Sequence, residues 1–346
     1  MGRVEAGGGT GMLTDVVNTE AEFDALRPEW NSLVPRLSQP SPYQSWEWNR
    51  SWWRHFGSGH HLHIVTFREA GRLEGIAQFY RRRFGPPGAG IRALVPLGWE
   101  GNGRRQGITE HCELLFPEAA RRTLMTALSD WLGNRRWSVA LLPGTDPGEE
   151  LPQRLLSHVV IRGKPSTYHH RALPATYAEL VAGLNKSMRD NVKYYPRLLE
   201  RTGHRFQLRV CDSANSVGAA LSTFLELHQA RARSITGVHH RDKFAFADRR
   251  AFLIEVAPRL AALGQLRLGL LEVDRCVVAA QMWLEMNDTM FIHYTGYDPA
   301  WAANSVQLIA TLECLRWCIG RGVRRVEFLR GSGQRNERWD VERRVR

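Results

Sequence analysis

Apolar side chains recur at helical spacing near the start of the chain. Over residues 18–34, one face of a helix would carry Phe23, Leu26, Trp30 and Leu33. Thr19 and Glu22 have the spacing of a capping box, which favours a helix start at this point. A tryptophan-rich segment, WEWNRSWWRHFG, follows from residue 46 and predicts a second helix. Its rings could stack on bases or on a ring-shaped ligand, or they could pack in a core.

The pattern then changes to short apolar runs of the kind found in strands. The runs in the first half are LHIVTF from residue 62, GIAQFYRRR from 75, IRALVPLGW from 91 and HCELLF from 111. Helical spacing over 118–133 and the strand-like WSVALLPG from residue 137 complete this half. Residues 98–107, GWEGNGRRQG, have glycines at intervals that do not fit a phosphate loop, so they predict an ordinary loop.

The second half alternates helices and strands. Helices are predicted over 176–202, 214–233 and 248–263, with a strand at 205–211. A three-strand meander, QLRLGLLEV, CVVAAQMWLE and TMFIHYTGY, leads into the helix NSVQLIATLECLRWCI and the strand VRRVEFLRG from residue 323. This order indicates an α/β sheet in which the last strand lies beside its predecessor, so that a ligand would bind near the end of TMFIHYTGY.

The two halves resemble one another. HLHIVTFREAGRLEGIAQFY from residue 61 aligns with QLRLGLLEVDRCVVAAQMWL from residue 265, which places Gln78 opposite Gln281. We therefore expect a duplication that forms two similar α/β domains with mixed sheets flanked by helices. The expected division is a flexible tail at 1–11, an N-terminal domain at 12–170 and a C-terminal domain at 171–346, because GKPSTYHHRALP supplies turn residues between them.

Charge and cysteine content indicate which binding partners and which cellular compartment to expect. Lysine and arginine number 47 against 35 acidic residues, a net charge of +12, which favours an anionic partner or reflects a basic solvated surface. The five cysteines show no metal-ligand spacing, so we expect no metal and a reduced, cytoplasmic compartment. No apolar run reaches the roughly 18 residues of a membrane span.

Several motifs carry a family resemblance. They are LHxxR with His228 and Arg231, GYDxxW with Gly296, Tyr297, Asp298 and Trp301, Ser305 at a helix start, and FLxG with Phe328, Leu329 and Gly331. Over most of 175–340 the chain resembles acyltransferases of the GNAT fold of the CelD/BcsL type, associated with cellulose biosynthesis. That family is in turn similar to the bacterial FemABX peptidoglycan aminoacyltransferases. The resemblance implies tandem GNAT-like domains with the acyl-donor site in the second.

The resemblance further implies transfer of an acyl group from acyl-CoA to an amine or hydroxyl of a small molecule or a cell-envelope precursor. A helix start suits the donor's phosphates, because it gathers unpaired N–H groups and the positive end of the helix dipole. We expect the donor to contact Gly296, Tyr297, Asn304, Ser305, Val306 and Gln307. Asn304 or Ser305 could instead serve only as an N-cap.

Three residues are candidates for the proton transfers. Strand alternation predicts that only one of His293 and Tyr294 faces the cleft, where it could exchange a proton with the reacting groups. Glu327 on the next strand is a candidate base, because a carboxylate in a partly apolar sheet holds a proton more readily than one in water. His228 and Arg231, which share a helix face, and Gln281 are expected to line the acceptor pocket.

Two other functions remain open. Lys186, Arg189, Lys193, Arg197 and Arg201 form a basic helical stripe that contains Tyr194 and Tyr195 and is interrupted or kinked by Pro196. Such a stripe could bind tRNA in an aminoacyl-tRNA-dependent transferase, or it could be a solvated face. The chain has Ser305-Val306-Gln307 where the family has Ser-Pro-Gly, and of the family pattern after FLRG it keeps Trp339 alone. A non-catalytic scaffold protein is therefore the third hypothesis, and the oligomeric state stays open.

Overall fold

The computed structural model describes residues 12–85, 90–100, 107–133, 137–144, 166–234, 240–330 and 338–345. The chain divides into two compact units, the first ending at Pro165 and the second running from Ser166 to Val345. The expected division at residue 170 falls inside a strand, Thr167–Ala172, that hydrogen-bonds within the second sheet. The expected tail 1–11 and the glycine of FLxG at 331 lie outside the described residues.

The first unit is a five-stranded sheet with helices. In chain order its elements are β1 (Met12–Val17), α1 (Glu20–Ala25), α2 (Arg27–Leu33), α3 (Trp46–Phe56), β2 (His61–Glu69), β3 (Arg72–Phe84), β4 (Ile91–Pro96), α4 (Arg121–Gly133) and β5 (Val139–Ala140). Strands β1 to β4 are sequential antiparallel neighbours, and β5 runs parallel to β4. The capping box of Thr19 and Glu22 is present at the start of α1.

Two expectations for this unit are wrong. The segment 18–34 forms two helices, α1 and α2, because Pro28 in the first turn of α2 has no N–H to continue the earlier helix. The run HCELLF is not a strand: within the described residues it contributes one isolated bridge, between Ile76 and Leu115. Its apolar side chains, Leu114, Leu115 and Phe116, are buried in irregular backbone, which gives the same hydrophobic signal as a buried strand.

The tryptophans of α3 belong to the core. Trp48 and Trp52 are each 1% exposed, and Trp52 packs on Tyr80 with ring centroids 5.5 Å apart. The indole N–H of Trp48 donates to Thr109 Oγ1 at 2.9 Å. Buried rings with such contacts offer no stacking surface, so the interpretation as core packing is confirmed over that of a ring-ligand platform.

The second unit contains a seven-stranded sheet. Its elements are β6 (Thr167–Ala172), α5 (Tyr177–Ala182), α6 (Lys186–Arg201), β7 (Phe206–Cys211), α7 (Ala214–Arg233), α8 (Ala247–Ala262), β8 (Leu266–Val273), β9 (Cys276–Met286), β10 (Thr289–Tyr297), a 3-10 helix (Pro299–Asn304), α9 (Val306–Gly320), β11 (Arg325–Arg330) and β12 (Glu342–Val345). The strand order is β12-β6-β11-β10-β9-β8-β7. Helices α5, α6 and α9 share hydrophobic clusters with one face of this sheet, and α7 packs against β10 on the other.

The strand orders of the two sheets reveal a duplication. Strands β7 to β10 are sequential antiparallel neighbours and β11 runs parallel to β10, which is the arrangement of β1 to β5. Gln78 and Gln281, aligned in sequence, are both buried, and each amide donates to a backbone carbonyl of a neighbouring segment, that of Glu113 or of Tyr294. The prediction of tandem α/β domains with mixed sheets is confirmed.

Two features of the second unit differ from expectation. Strands β6 and β12 extend the sheet beyond β11, although TYHHRA reads as part of a turn-rich linker because it lacks an aliphatic run.

Helix α6 continues through Pro196 without interruption. A proline there removes one intrahelical hydrogen bond, and Leu199, fully buried in a cluster shared with α9, is among the contacts that hold the helix in place.

Candidate functional site

The central feature of the second unit is an opening between two parallel strands. Strands β10 and β11 pair only from Thr289, opposite Arg325, to Phe291, opposite Glu327. Beyond this point β10 continues to Tyr297 beside β9, while β11 continues beside β6. The strands therefore separate along their carboxyl halves, and α9, which connects them, begins at that end of the sheet.

A β-bulge re-aims the side chains of β10 at this opening. The register with β9 passes from Ile292 opposite Trp283 to Thr295 opposite Gln281, so that His293 and Tyr294 form the bulge. Their ring centroids lie 3.7 Å apart. The expectation that strand alternation separates these two side chains is therefore wrong, because a bulge inserts a residue and breaks the period of two.

His228 holds the bulged strand to α7. Its ring is 6% exposed and packs against Tyr294 with centroids 5.9 Å apart. The backbone N–H of Lys243 donates to His228 Nε2 at 3.2 Å, so the Nδ1–H donates to the carbonyl of Thr295 at 2.8 Å. Burial lowers the pKa of His228, which agrees with this neutral tautomer.

Arg231, one helical turn further along α7, reaches the same strand. Its guanidinium donates to Thr295 Oγ1 and to the ring of His240, with Nη2 2.6 Å from His240 Nε2. The guanidinium carbon also lies 5.7 Å from the ring centroid of Tyr297. The structure thus brings His228 and Arg231 together at the bulge, and it adds His240 and Lys243 beside them.

Gly296 is a close-packing position between β10 and α7. A Cβ at this residue would lie 2.6 Å from the backbone carbonyl carbon of Leu227 and would also clash with the backbone of His228. Only a residue without a side chain allows the helix to approach so closely. Any donor contact at Gly296 would therefore involve its backbone.

Gln281 lies inside the packing between β9 and α9. Its side chain is fully buried; its amide donates to the carbonyls of Met282 at 2.8 Å and Tyr294 at 3.2 Å. Thr311 Oγ1 donates to its Oε1 at 3.2 Å. Gln281 therefore links the bulge to α9, and full burial is incompatible with the expectation that it contacts an acceptor directly.

The start of α9 is built differently from a side-chain-capped helix. Ser305 stands at the N-cap position in the left-handed conformation, with φ 49°, and makes no side-chain capping hydrogen bond. Its carbonyl accepts from the amides of Leu308 and Ile309. Val306 is fully buried, whereas Gln307 is half-buried and its amide lies 3.4 Å from Thr311 Oγ1. Asn304 ends the preceding 3-10 helix, so the expected side-chain cap by Asn304 or Ser305 is absent.

Glu327 lies across the opening on β11. It is 6% exposed and has Phe291 of β10 and His170 of β6 as its neighbours in register. Residues in register share a sheet face, so its carboxylate emerges beside the ring of His170. His170 Nε2 in turn lies 3.2 Å from the carboxylate of Glu342 on β12. Glu327 thus shares a row with Phe291 and His170.

His293 combines burial with a positive environment. Burial lowers its pKa well below the ordinary value of 6.5, and the charge of Lys243 lowers it further. The imidazole is therefore neutral at pH 7 and can accept a proton. Lys243 could not be found from sequence spacing, because it lies 50 residues before His293 and meets it only through the fold. Among the described residues there is no cluster of three metal-ligating side chains.

Comparison with known proteins agrees with this geometry. Residues 186–339 match the family described as an acetyltransferase (GNAT) domain, which spans less than half of the chain. No curated protein sequence matches the chain. None of the described helices has the length and hydropathy to cross a membrane.

Solved structures share the fold at low identity. FemX superposes with a TM-score of 0.61 at 9% identity, over 92% of this chain and 93% of that chain. A tandem GNAT protein from the clavulanic acid biosynthesis pathway gives 0.44 at 11% identity over 96% of each chain. L-PGS from Bacillus licheniformis gives 0.46 at 8%, over 89% of this chain and 77% of that chain. The FemX likeness shows the fold, and the match of residues 186–339 identifies an acyltransferase domain of the GNAT superfamily in the second unit.

Proposed function

We propose that the second unit transfers an acyl group from acyl-CoA to an amine, or to a hydroxyl, of a small molecule or cell-envelope precursor. The observation that carries this proposal is the opening between β10 and β11, whose pairing ends at Phe291 and Glu327 while α9 begins at the same end of the sheet. An acyl-pantetheine chain could lie between the diverging strands, with the donor's phosphates at the helix start.

The start of α9 supports the placement of the phosphates. The amides of Leu308 and Ile309 donate to the carbonyl of Ser305, which leaves the amides of Val306 and Gln307 as first-turn donors for an anion. The helix dipole adds positive potential at the same point. No glycine cradle is needed for this mode, because the donors are the ordinary N–H groups of a helix end.

The chemistry requires one bond to form and one to break. The amine nitrogen attacks the thioester carbonyl carbon, the C–S bond breaks, and coenzyme A leaves as a thiolate. Neutral His293 is a proton acceptor for the attacking amine, and the Tyr294 hydroxyl is a donor to the thiolate, since both rings lie at the bulge. The oxyanion would meet a backbone N–H of β10. Glu327 is the alternative base from the neighbouring strand.

The direct test is turnover. Purified protein would be incubated with acetyl-CoA and longer acyl-CoAs and a panel of amines, with thiol release and product mass as readouts. Tyr294→Phe keeps the ring contacts but removes the hydroxyl, and we expect kcat to fall at least tenfold. Tyr194→Phe, at a half-exposed ring on α6, is the control and should keep full activity. A folded protein that transfers nothing from any acyl-CoA would support the scaffold hypothesis.

Narrower assignments rest on the sequence. The LHxxR and GYDxxW motifs favour the CelD/BcsL type within the superfamily. We propose a cytoplasmic location, which the five free cysteines support.

A second candidate donor is aminoacyl-tRNA. The face of α6 that carries Lys186, Lys193, Arg197 and Arg201 is exposed, and Tyr194 lies on it with Arg201 5.8 Å from its ring centroid. Tyr195 and Leu199 of the same helix pack in the cluster that contains Val306, so the opposite face of α6 lies against the start of α9. The test is tRNA binding as a function of salt: Lys193→Glu with Arg197→Glu should weaken it, and an unchanged affinity would exclude this donor.

A further inference from the structure

A set of basic side chains surrounds the bulge on the α7 side of the sheet. Arg231 and Lys243 supply two positive charges there, beside the imidazoles of His228 and His240. The ring of His240 accepts from Arg231, and Nε2 of His228 accepts from the backbone N–H of Lys243. Burial lowers the pKa of His228, so its ring is neutral. These groups line the face of β10 where the acceptor would approach, because the helix start proposed for the donor belongs to the other face.

The segment 240–244 holds its charged residue in a fixed place. Phe244 is 1% exposed and packs against Tyr294, with ring centroids 4.9 Å apart. The backbone N–H of Lys243 is hydrogen-bonded to His228. The Lys243 side chain therefore extends from a backbone segment that is held next to the bulge. Its positive charge is close enough to His293 to lower the pKa of that residue.

The described acidic group in this cluster is Asp242. Its Oδ1 accepts from the N–H of Phe244 at 2.9 Å and lies 3.8 Å from His228 Nε2. Arg231 and Lys243 thus bring two positive charges to the bulge against one negative charge from Asp242. A neutral or cationic acceptor would gain nothing from this field, whereas an anionic group would be attracted to it.

We propose that the acceptor is an amine that also bears an anionic group, a carboxylate or a phosphate, which is bound by Lys243 and Arg231 next to the bulge. This inference rests on the proposed acyl transfer and adds the chemical class of the acceptor. Lys243, half-buried at the end of an anchored segment, is the main determinant of specificity. Arg231 acts from a more buried position, where it also holds Thr295 and His240.

Matched pairs of acceptors provide the test. Glucosamine 6-phosphate is compared with glucosamine, and glycylglycine with glycylglycinamide, with acetyl-CoA and a longer acyl-CoA as donors. We expect kcat/KM for at least one anionic member to exceed that of its neutral partner about tenfold, as one partly buried charge pair would give. The phosphate and carboxylate pairs separate the two sources of negative charge.

Variants of Lys243 test whether this residue causes the preference for an anionic acceptor. Lys243→Gln should abolish the preference for the anionic member of each pair, and Lys243→Arg should retain it. Arg275→Gln, an equal charge change at the exposed β8–β9 turn, is the control and should have no effect. Equal use of both members, or bound donor with no turnover of any anionic amine, would overturn the acceptor class. Acyl-CoA that does not bind in calorimetry would overturn the acyl transfer itself.

Discussion

His293 and Tyr294, consecutive residues of β10, place their rings 3.7 Å apart at the point where β10 and β11 separate. In a regular strand these side chains would lie on opposite faces. The bulge thus brings an imidazole that is neutral at pH 7 and a phenol to one position, which is the pairing of proton acceptor and donor that acyl transfer from a thioester requires.

Replacement of Gly296 should damage the site through packing. Gly296→Ala would force a Cβ to within 2.6 Å of the Leu227 carbonyl carbon, so α7 must move away from β10. We expect a loss of about 1–3 kcal/mol in the free energy of unfolding, measured by denaturant titration. Gly320→Ala, where a Cβ meets nothing within 4 Å, is the matched control and should be neutral or slightly stabilising. Equal stabilities of the two variants would contradict the close approach.

Gln281→Ala should loosen the bulge. The substitution leaves the buried carbonyl of Tyr294 without this amide donor and removes one of the two acceptors of the Thr311 hydroxyl, which should cost about 1–3 kcal/mol of stability and reduce turnover. Gln207→Ala is the control, because Gln207 is exposed on the edge strand β7 and its amide donates to Glu272 of β8. We would abandon the linking role of Gln281 if its variant were as stable and as active as the control.

Stability should fall in mild acid because two histidines are buried in neutral form. The pKa values of His228 and His293 are lowered by burial from the ordinary value of 6.5. Below pH 6.5 the unfolded chain therefore binds more protons than the folded one, so these two histidines make stability fall as the pH drops below 6.5 and contribute no pH dependence well above it. His293→Gln should flatten this dependence of the denaturant midpoint, and the exposed His61→Gln should not. If the denaturant midpoint depended on pH to the same extent in both variants, His293 would not be a source of the acid sensitivity.

Thiol reactivity should be fastest at the exposed cysteine. Cys276 is exposed, whereas Cys314 and Cys318 are buried, and burial raises the pKa of both of these thiols. Because the thiolate is the reactive form, a disulfide reagent should titrate Cys276 rapidly in the native protein and all five after denaturation. Cys276→Ser should remove the fast phase and give a low background for thiol-release assays. Rapid labelling of Cys314 would indicate that α9 opens readily.

Much of the fold can be predicted from local sequence patterns, but the candidate site can be predicted only in part. The meander β8–β10 and α9 follow from continuous apolar runs, and the duplication follows from the aligned hairpins around Gln78 and Gln281. Strand β6 escapes prediction because His169 and His170 are buried polar residues that do not give an apolar signal. The bulge cannot be read from TMFIHYTGY, since it depends on the packing of α7 against Gly296 and on the amide of Gln281, which come from other elements. Lys243 joins the site through tertiary contacts alone.

Isothermal titration calorimetry of acyl-CoA binding tests whether the opening between β10 and β11 is a donor site. We expect one binding site per chain for acetyl-CoA or a longer acyl-CoA. Binding should weaken markedly when Gln307→Glu adds negative charge to the first turn of α9 and should not change when Glu118→Gln alters the corresponding region of the first unit. Failure of every acyl-CoA to bind, or binding that is indifferent to Gln307→Glu, would contradict a donor site at the opening between β10 and β11.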